Sequence, residues 1–136
     1  MAALLRGDSM SFFLGVDVGT GSARAGVFDA KGTLLGTYAK ELETYRPKSG
    51  FAQQASTEIW DAVVDAVNGA VSAAGIDPAA VSGIGFDAKC SLVVTGDPQS
   101  VGLSIDPAGS VGSSGATQDV ILWMDHRAQK DAEAIN

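Results

Sequence analysis

The sequence predicts a mixed α/β fold, with an antiparallel three-strand meander leading the sheet and helices packed on it. Three observations carry that expectation. Short apolar runs at 12–18, 23–28 and 33–39 succeed one another across two tight turns. Apolar residues at helical spacing then recur from Ile59 to Val71. Further apolar runs at 81–86, 91–95 and 120–123 return the chain to strands.

Residues 1–11 lack both a signal-peptide core and an Arg-rich amphipathic pattern, and they read as a disordered leader with Met10 as an alternative start. The stretch that follows organises the chain: Gly15-Val16-Asp17-Val18-Gly19-Thr20-Gly21-Ser22-Ala23-Arg24 sits between two apolar runs. Gly19 and Gly21 allow an anion to approach the backbone and permit the positive φ that a nest of N–H groups uses. Thr20 and Ser22 add hydroxyl donors, and Arg24 offers a planar fork suited to phosphate oxygens. Ionised Asp17 only accepts hydrogen bonds, so a hard cation such as Mg²⁺ must stand between it and a phosphate. The whole reads as a hairpin that grips phosphate. No Lys-Ser/Thr pair follows the second glycine as in a Walker loop, and Arg24 stands where a dinucleotide fingerprint has its third glycine.

Asp29-Ala30-Lys31-Gly32 turns the chain into the third strand. The polar stretch 40–50 reads as a loop crossing to a new layer. A helix starts at Ser56 or Thr57, with Glu58 in its first turn, and ends at Gly75 ahead of Pro78. Its stripe is Ile59, Val63, Val67 and Ala70, widened by Trp60, Val64 and Val71, and Trp60 is expected in the core. Gly69 costs this helix about 1 kcal/mol relative to Ala, which packing must offset. Residues 81–87 read as a short buried strand, and 91–95 as another. The Gly/Ser/Pro-rich stretch 96–117 reads as a flexible insertion with one strand near Leu103. Residues 120–123 form the last strand, and Asp125 opens a helical stretch over 127–135.

The length of 136 residues suits one domain, and 46% hydrophobic against 18% charged residues describes a folded core. A net charge of −7 with nine scattered Lys and Arg argues against a nucleic-acid surface. No apolar run is long enough for a membrane span. The single cysteine, Cys90, excludes an internal disulfide and fits a reducing compartment, with a cytoplasmic location expected. Cys90 reads as a packed thiol, His126 as a capping or structural residue, and Lys89 as a solvated residue at a strand end. Asp125 reads equally as a helix N-cap or as a substrate contact.

Four segments in order carry a family resemblance. They are the hairpin motif; Gln54 followed by Trp60; Gly83-Ile84-Gly85-Phe86-Asp87-Ala88-Lys89-Cys90-Ser91-Leu92-Val93-Val94; and Leu122-Trp123-Met124-Asp125-His126-Arg127-Ala128. The first resembles the phosphate motif of the sugar-kinase, chaperone and actin superfamily. Together they resemble the FGGY carbohydrate kinases, in the ribulokinase-like branch. The resemblance implies a ribonuclease-H-like or actin-like ATPase domain over 12–136, incomplete, acting with ATP and Mg²⁺ on a pentulose such as D-ribulose. It implies Asp17 at the metal, Gly19, Thr20, Gly21, Ser22 and Arg24 at the phosphates, and Ala88, Lys89, Cys90, Ser91, Trp123, Asp125, His126 and Arg127 at or near the sugar. It also implies a second domain carrying the catalytic base, so no catalytic residue is assigned here and the chain alone is expected to turn over little. A homo-oligomer, or pairing with a C-terminal domain, is expected from the apolar surface such a truncated sheet exposes. Lys89 departs from the branch, which has Thr at that position.

Overall fold

The computed structural model describes residues 11–96, 102–106 and 112–135. The first three strands are β1 (Phe12–Val18), β2 (Ser22–Asp29) and β3 (Leu34–Glu41). They form the antiparallel meander the sequence predicts, with Asp17 opposite Arg24 and Val18 opposite Ala23. A two-residue strand β4 (Gln53–Gln54) precedes helix α1 (Ser56–Ala74), and β5 (Val81–Ala88) then lies parallel to β1. Parallel neighbours need a long crossover, and α1 supplies it. The main sheet has the order β3-β2-β1-β5; β4, β6 (Leu92–Val93) and β7 (Val120–Ile121) form a smaller one, ordered β4-β7-β6. Helix α2 (Gln129–Ile135) is the last element among the described residues.

Alternation along β1 and β2 separates two faces. Phe12, Leu14, Val16, Val18, Ala23, Ala25 and Val27 turn towards α1 and bury against its Ala62, Val63, Ala66 and Ala70. Small residues let helix and sheet come close. A Cβ on Gly36 of β3 would stand 2.4 Å from the Ala74 backbone nitrogen, and one on Gly69 of α1 would stand 2.3 Å from the Tyr38 ring. Gly69 therefore trades helix propensity for the space that the Tyr38 ring occupies.

Both ends of α1 are closed. Gly75 is left-handed (φ 64°) and donates its N–H to the Val71 and Ser72 carbonyls, 3.1 Å each. At the other end Ala55 offers no capping side chain. The buried carboxylate of Asp119 takes that role from 63 residues away, accepting from Ser56 N at 2.7 Å and Ser56 Oγ at 2.5 Å.

Several expectations are corrected. Trp60 is 63% exposed, because the alanines of α1 make the closest contact and Trp60 lies off that face. Residues 81–87 form an edge strand with one neighbour, so Ile84 and Phe86 stand exposed rather than buried. The strands expected at 91–95 and 120–123 shrink to two residues each, and α2 starts only at Gln129. The third strand runs on to Glu41, shortening the expected loop. Cys90 is exposed. Of the stretch 96–117, residues 97–101 and 107–111 lie outside the described residues, as do Met10 and the rest of 1–10. Near Leu103 there is no strand; Leu103 N and Ile105 N bond the carbonyls of Val94 and Gln118. Among the described residues no helix is long and apolar enough to cross a membrane.

Candidate phosphate and sugar site

The parallel strands β1 and β5 end on the same side of the sheet, where ligands of open α/β sheets bind. Asp17 stands beside Asp87 and Val18 beside Ala88 there, and the hairpin 19–21 turns away from the end of β1. Gly19 N donates to Ser22 O at 2.9 Å, closing the turn. Among the described residues only Gly32, Gly50, Gly75 and Gly115 have positive φ, so the nest expected from left-handed Gly19 and Gly21 is not how this loop is built. Its glycines serve approach instead: a Cβ on Gly21 would meet nothing within 4 Å.

The loop is shaped through its carbonyls. Gly19 O accepts from Lys89 Nζ at 3.1 Å, Thr20 O from Gln54 Nε2 at 2.9 Å, and Gly21 O from Leu42 N at 2.9 Å. The N–H groups of Thr20 and Gly21 meet no acceptor among the described residues. Two free N–H donors at an exposed turn suit an oxyanion.

Asp17 and Arg24 point to the sheet face opposite α1 and are hydrogen-bonded to each other through Asp17 Oδ2. Both are about half exposed, so solvent screens the pair and a ligand can compete for it. A groove of about 570 Å³ runs along this face past Gly15, Gly26, Phe28, Phe86 and Asp87. The oxygens present fit Mg²⁺: Asp17 keeps Oδ1 free of Arg24, Asp87 is its neighbour in register, and hard oxygen donors are what the ion takes. Among the described residues no three His, Cys, Asp or Glu side chains converge on one point. A metal arriving with phosphate oxygens and its own water suits such a sparse set better than a bare ion.

Lys89 follows β5, is half-buried, and bonds Gln54 Oε1 at 2.6 Å as well as Gly19 O. It is therefore no freely solvated residue, and burial lowers its pKa. Exposed Trp123 donates from Nε1 to Thr20 Oγ1 at 3.2 Å, which brings the fourth motif to the hairpin. Ala88 and Cys90 are exposed beside Lys89, while the buried Ser91 Oγ has no partner among the described residues. That hydroxyl is an open donor and acceptor.

Asp125, His126 and Arg127 form a separate cluster with residues 50–53. The Asp125 side chain is 2% exposed and accepts from Ala52 N (2.7 Å), Arg127 N (2.9 Å), Nε (2.9 Å) and Nη2 (2.7 Å). Arg127 also donates to Ile105 O at 3.0 Å and Gln53 Oε1 at 2.8 Å, and its guanidinium lies 4.2 Å over the Phe51 ring centre. Burial pushes the Asp125 pKa up, but the bonds from Arg127 and Ala52 N–H outweigh it and hold the carboxyl below its ordinary value. His126 is exposed and donates its backbone N–H to Gly50 O at 2.7 Å. Asp125 does not cap α2, which begins at Gln129.

The hairpin, Asp17, Arg24, Lys89 and Trp123 thus come together, and Asp125 to Arg127 support the adjoining segment. Two buried residues carry roles that residue-by-residue reading gave no reason to assign. Gln54 holds the hairpin, and Asp119 caps α1. Gln54 belongs to one of the resemblance segments, but nothing there points to its contact with the hairpin; the structure buries it with Gln53 between Ala52 and Ala55.

Residues 12–104 match the family model of the FGGY carbohydrate kinases, N-terminal domain. A D-ribulokinase of Saccharomyces cerevisiae is 46% identical over 125 residues, which are 92% of this chain and 17% of that protein. Among solved structures, a gluconate kinase from Lactobacillus acidophilus superposes with a TM-score of 0.70 at 20% identity, covering 92% of this chain and 22% of that one. A Plasmodium falciparum glycerol kinase solved with ADP gives 0.68 at 14% identity, with 93% and 23% covered. The chain spans about a fifth of the length of these relatives.

Proposed function

The chain belongs to the FGGY family of carbohydrate kinases, and from that premise we propose that it supplies the phosphate hairpin and part of the sugar site for ATP-dependent phosphorylation of a pentulose, D-ribulose first. The observation that carries this reading is the pair of unpartnered N–H groups at Thr20 and Gly21, set beside Asp17 and within reach of the Trp123 segment. Gly19, Thr20, Gly21, Ser22 and Arg24 take the phosphates, and Asp17 takes Mg²⁺. When bound, Mg²⁺ neutralises the charge that develops on the transferred phosphoryl group. Ala88, Lys89, Cys90, Ser91 and Trp123 face the sugar, with Asp125, His126 and Arg127 in or behind that pocket. Similarity to the yeast D-ribulokinase supports the pentulose, and the ADP in the glycerol kinase structure supports the nucleotide. The setting is cytoplasmic.

A second reading is a sugar- or phosphate-binding piece without turnover of its own. It is favoured by the open edge of β5, where Ile84 and Phe86 stand exposed and could meet a further domain or a second copy. Calorimetric titration with Mg-ATP and with D-ribulose, beside glycerol and gluconate, tests both. The kinase reading expects Mg-ATP to bind and D-ribulose to bind better than the other two, with turnover below ~1 s⁻¹ for this chain alone. D-ribulose binding no better than glycerol removes the pentulose assignment.

A further inference from the structure

We propose that Gln54 and Lys89 are positioning residues that aim the hairpin's two free N–H groups outward, at the place where a phosphate would sit. A trans peptide unit is planar, so fixing the direction of one carbonyl fixes the N–H of the next residue, which points the opposite way. Lys89 Nζ holds Gly19 O at 3.1 Å and thereby sets Thr20 N–H. Gln54 Nε2 holds Thr20 O at 2.9 Å and thereby sets Gly21 N–H. These are the same two N–H groups that meet no acceptor among the described residues.

The Gln54 amide has no freedom to turn over. It is 1% exposed, its strand is locked by pairing Gln54 with Val120, and its Oε1 accepts from the Lys89 ammonium at 2.6 Å. An ammonium can only donate, so Oε1 must face Lys89 and Nε2 must face Thr20 O. Nε2 also reaches Thr44 Oγ1 at 3.4 Å. The two side chains therefore form one relay, Lys89 to Gln54 to Thr20, that holds the loop's carbonyls, with the ammonium adding positive charge beside it. Because the donors are already oriented, an anion meets them without the entropy cost of ordering the turn.

That the loop receives phosphate rests on the function proposed above; that these side chains orient it does not. The test is ¹⁵N relaxation of the Gly19, Thr20 and Gly21 amides in the ligand-free chain, comparing wild type with Lys89→Met, Lys89→Arg, Gln54→Leu and Gln54→Glu. Thermal midpoints are recorded alongside, and each variant is titrated with Mg-tripolyphosphate. The expected result is selective: Thr20 loosens in Lys89→Met and is restored in Lys89→Arg, and Gly21 loosens in both Gln54 variants. Affinity for Mg-tripolyphosphate falls about tenfold with each loss, corresponding to ~1.4 kcal/mol of orientation. Wild-type order at both amides in all variants overturns the proposal, as does loosening spread evenly over β1 and β2. Selective loosening in a chain that binds no tripolyphosphate upholds the positioning role and removes the phosphate reading instead.

Discussion

Replacing Asp125 by Ala separates a supporting role from a ligand-contact role for the Trp-Met-Asp-His-Arg segment. The carboxylate accepts four hydrogen bonds, three of them from Arg127, and its side chain is 2% exposed against 17% for Arg127. Removing it leaves a guanidinium largely out of water without its ion-pair partner, beside an Ala52 N–H that has lost its acceptor. Breaking a buried pair from one side costs about 3–5 kcal/mol. At roughly 4 °C per kcal/mol for a chain of this size, the midpoint of thermal unfolding falls by about 12–20 °C. Circular dichroism during heating, with a parallel urea titration, reads this directly. The double variant Asp125→Ala/Arg127→Met is expected to lose less than Asp125→Ala alone, because no charge is left stranded. A loss below ~1 kcal/mol together with abolished D-ribulose binding refutes the reasoning and gives the carboxylate to the sugar.

Three further outcomes follow from the same contacts. The Asp125 pKa is lowered on folding, so its contribution is complete above the unfolded value near 3.9 and is lost as pH falls through the lower folded value; the unfolding curves of wild type and Asp125→Asn begin to approach each other below about pH 4 and meet only below the folded value. Gly36→Ala drives a methyl against the Ala74 nitrogen and Ala70 carbonyl of α1, which are backbone and cannot swing away, and urea unfolding is expected to record a loss of about 1–3 kcal/mol or more. Asp119→Ala removes the only side-chain cap of α1 among the described residues and is expected to cost about 1–2 kcal/mol, with the exchange of the Ser56 amide rising beyond that of the helix centre.

What could be read from the sequence was what short-range pattern controls. Alternation in β1 and β2 and the Gly75 stop of α1 are local, and each appears where the pattern puts it. Trp60 misled because helical spacing marks a face without saying how wide a sheet covers it, and the exposed edge of β5 follows from topology rather than composition. The site divides in the same way. Asp17, the hairpin and Arg24 are contiguous and could be recognised from residue chemistry, whereas the Gln54 and Lys89 contacts join positions 34 to 70 residues apart. Glycine chemistry suggested left-handed turns at Gly19 and Gly21; side chains arriving from distant segments shape that loop instead. Asp119 shows the same limit, since a helix cap supplied from the other end of the chain leaves no trace beside Ser56.

The central claim is that the turn after β1 holds a polyphosphate whose metal is shared with Asp17. Titrating ¹⁵N-labelled chain with Mg-ATP and following backbone amides addresses it at the atoms concerned. The account predicts saturable shifts largest at Thr20 and Gly21, weakened when Mg²⁺ is withheld or Asp17 is changed to Asn. Shifts centred elsewhere, or a response at the hairpin that ignores both Mg²⁺ and Asp17, contradict it.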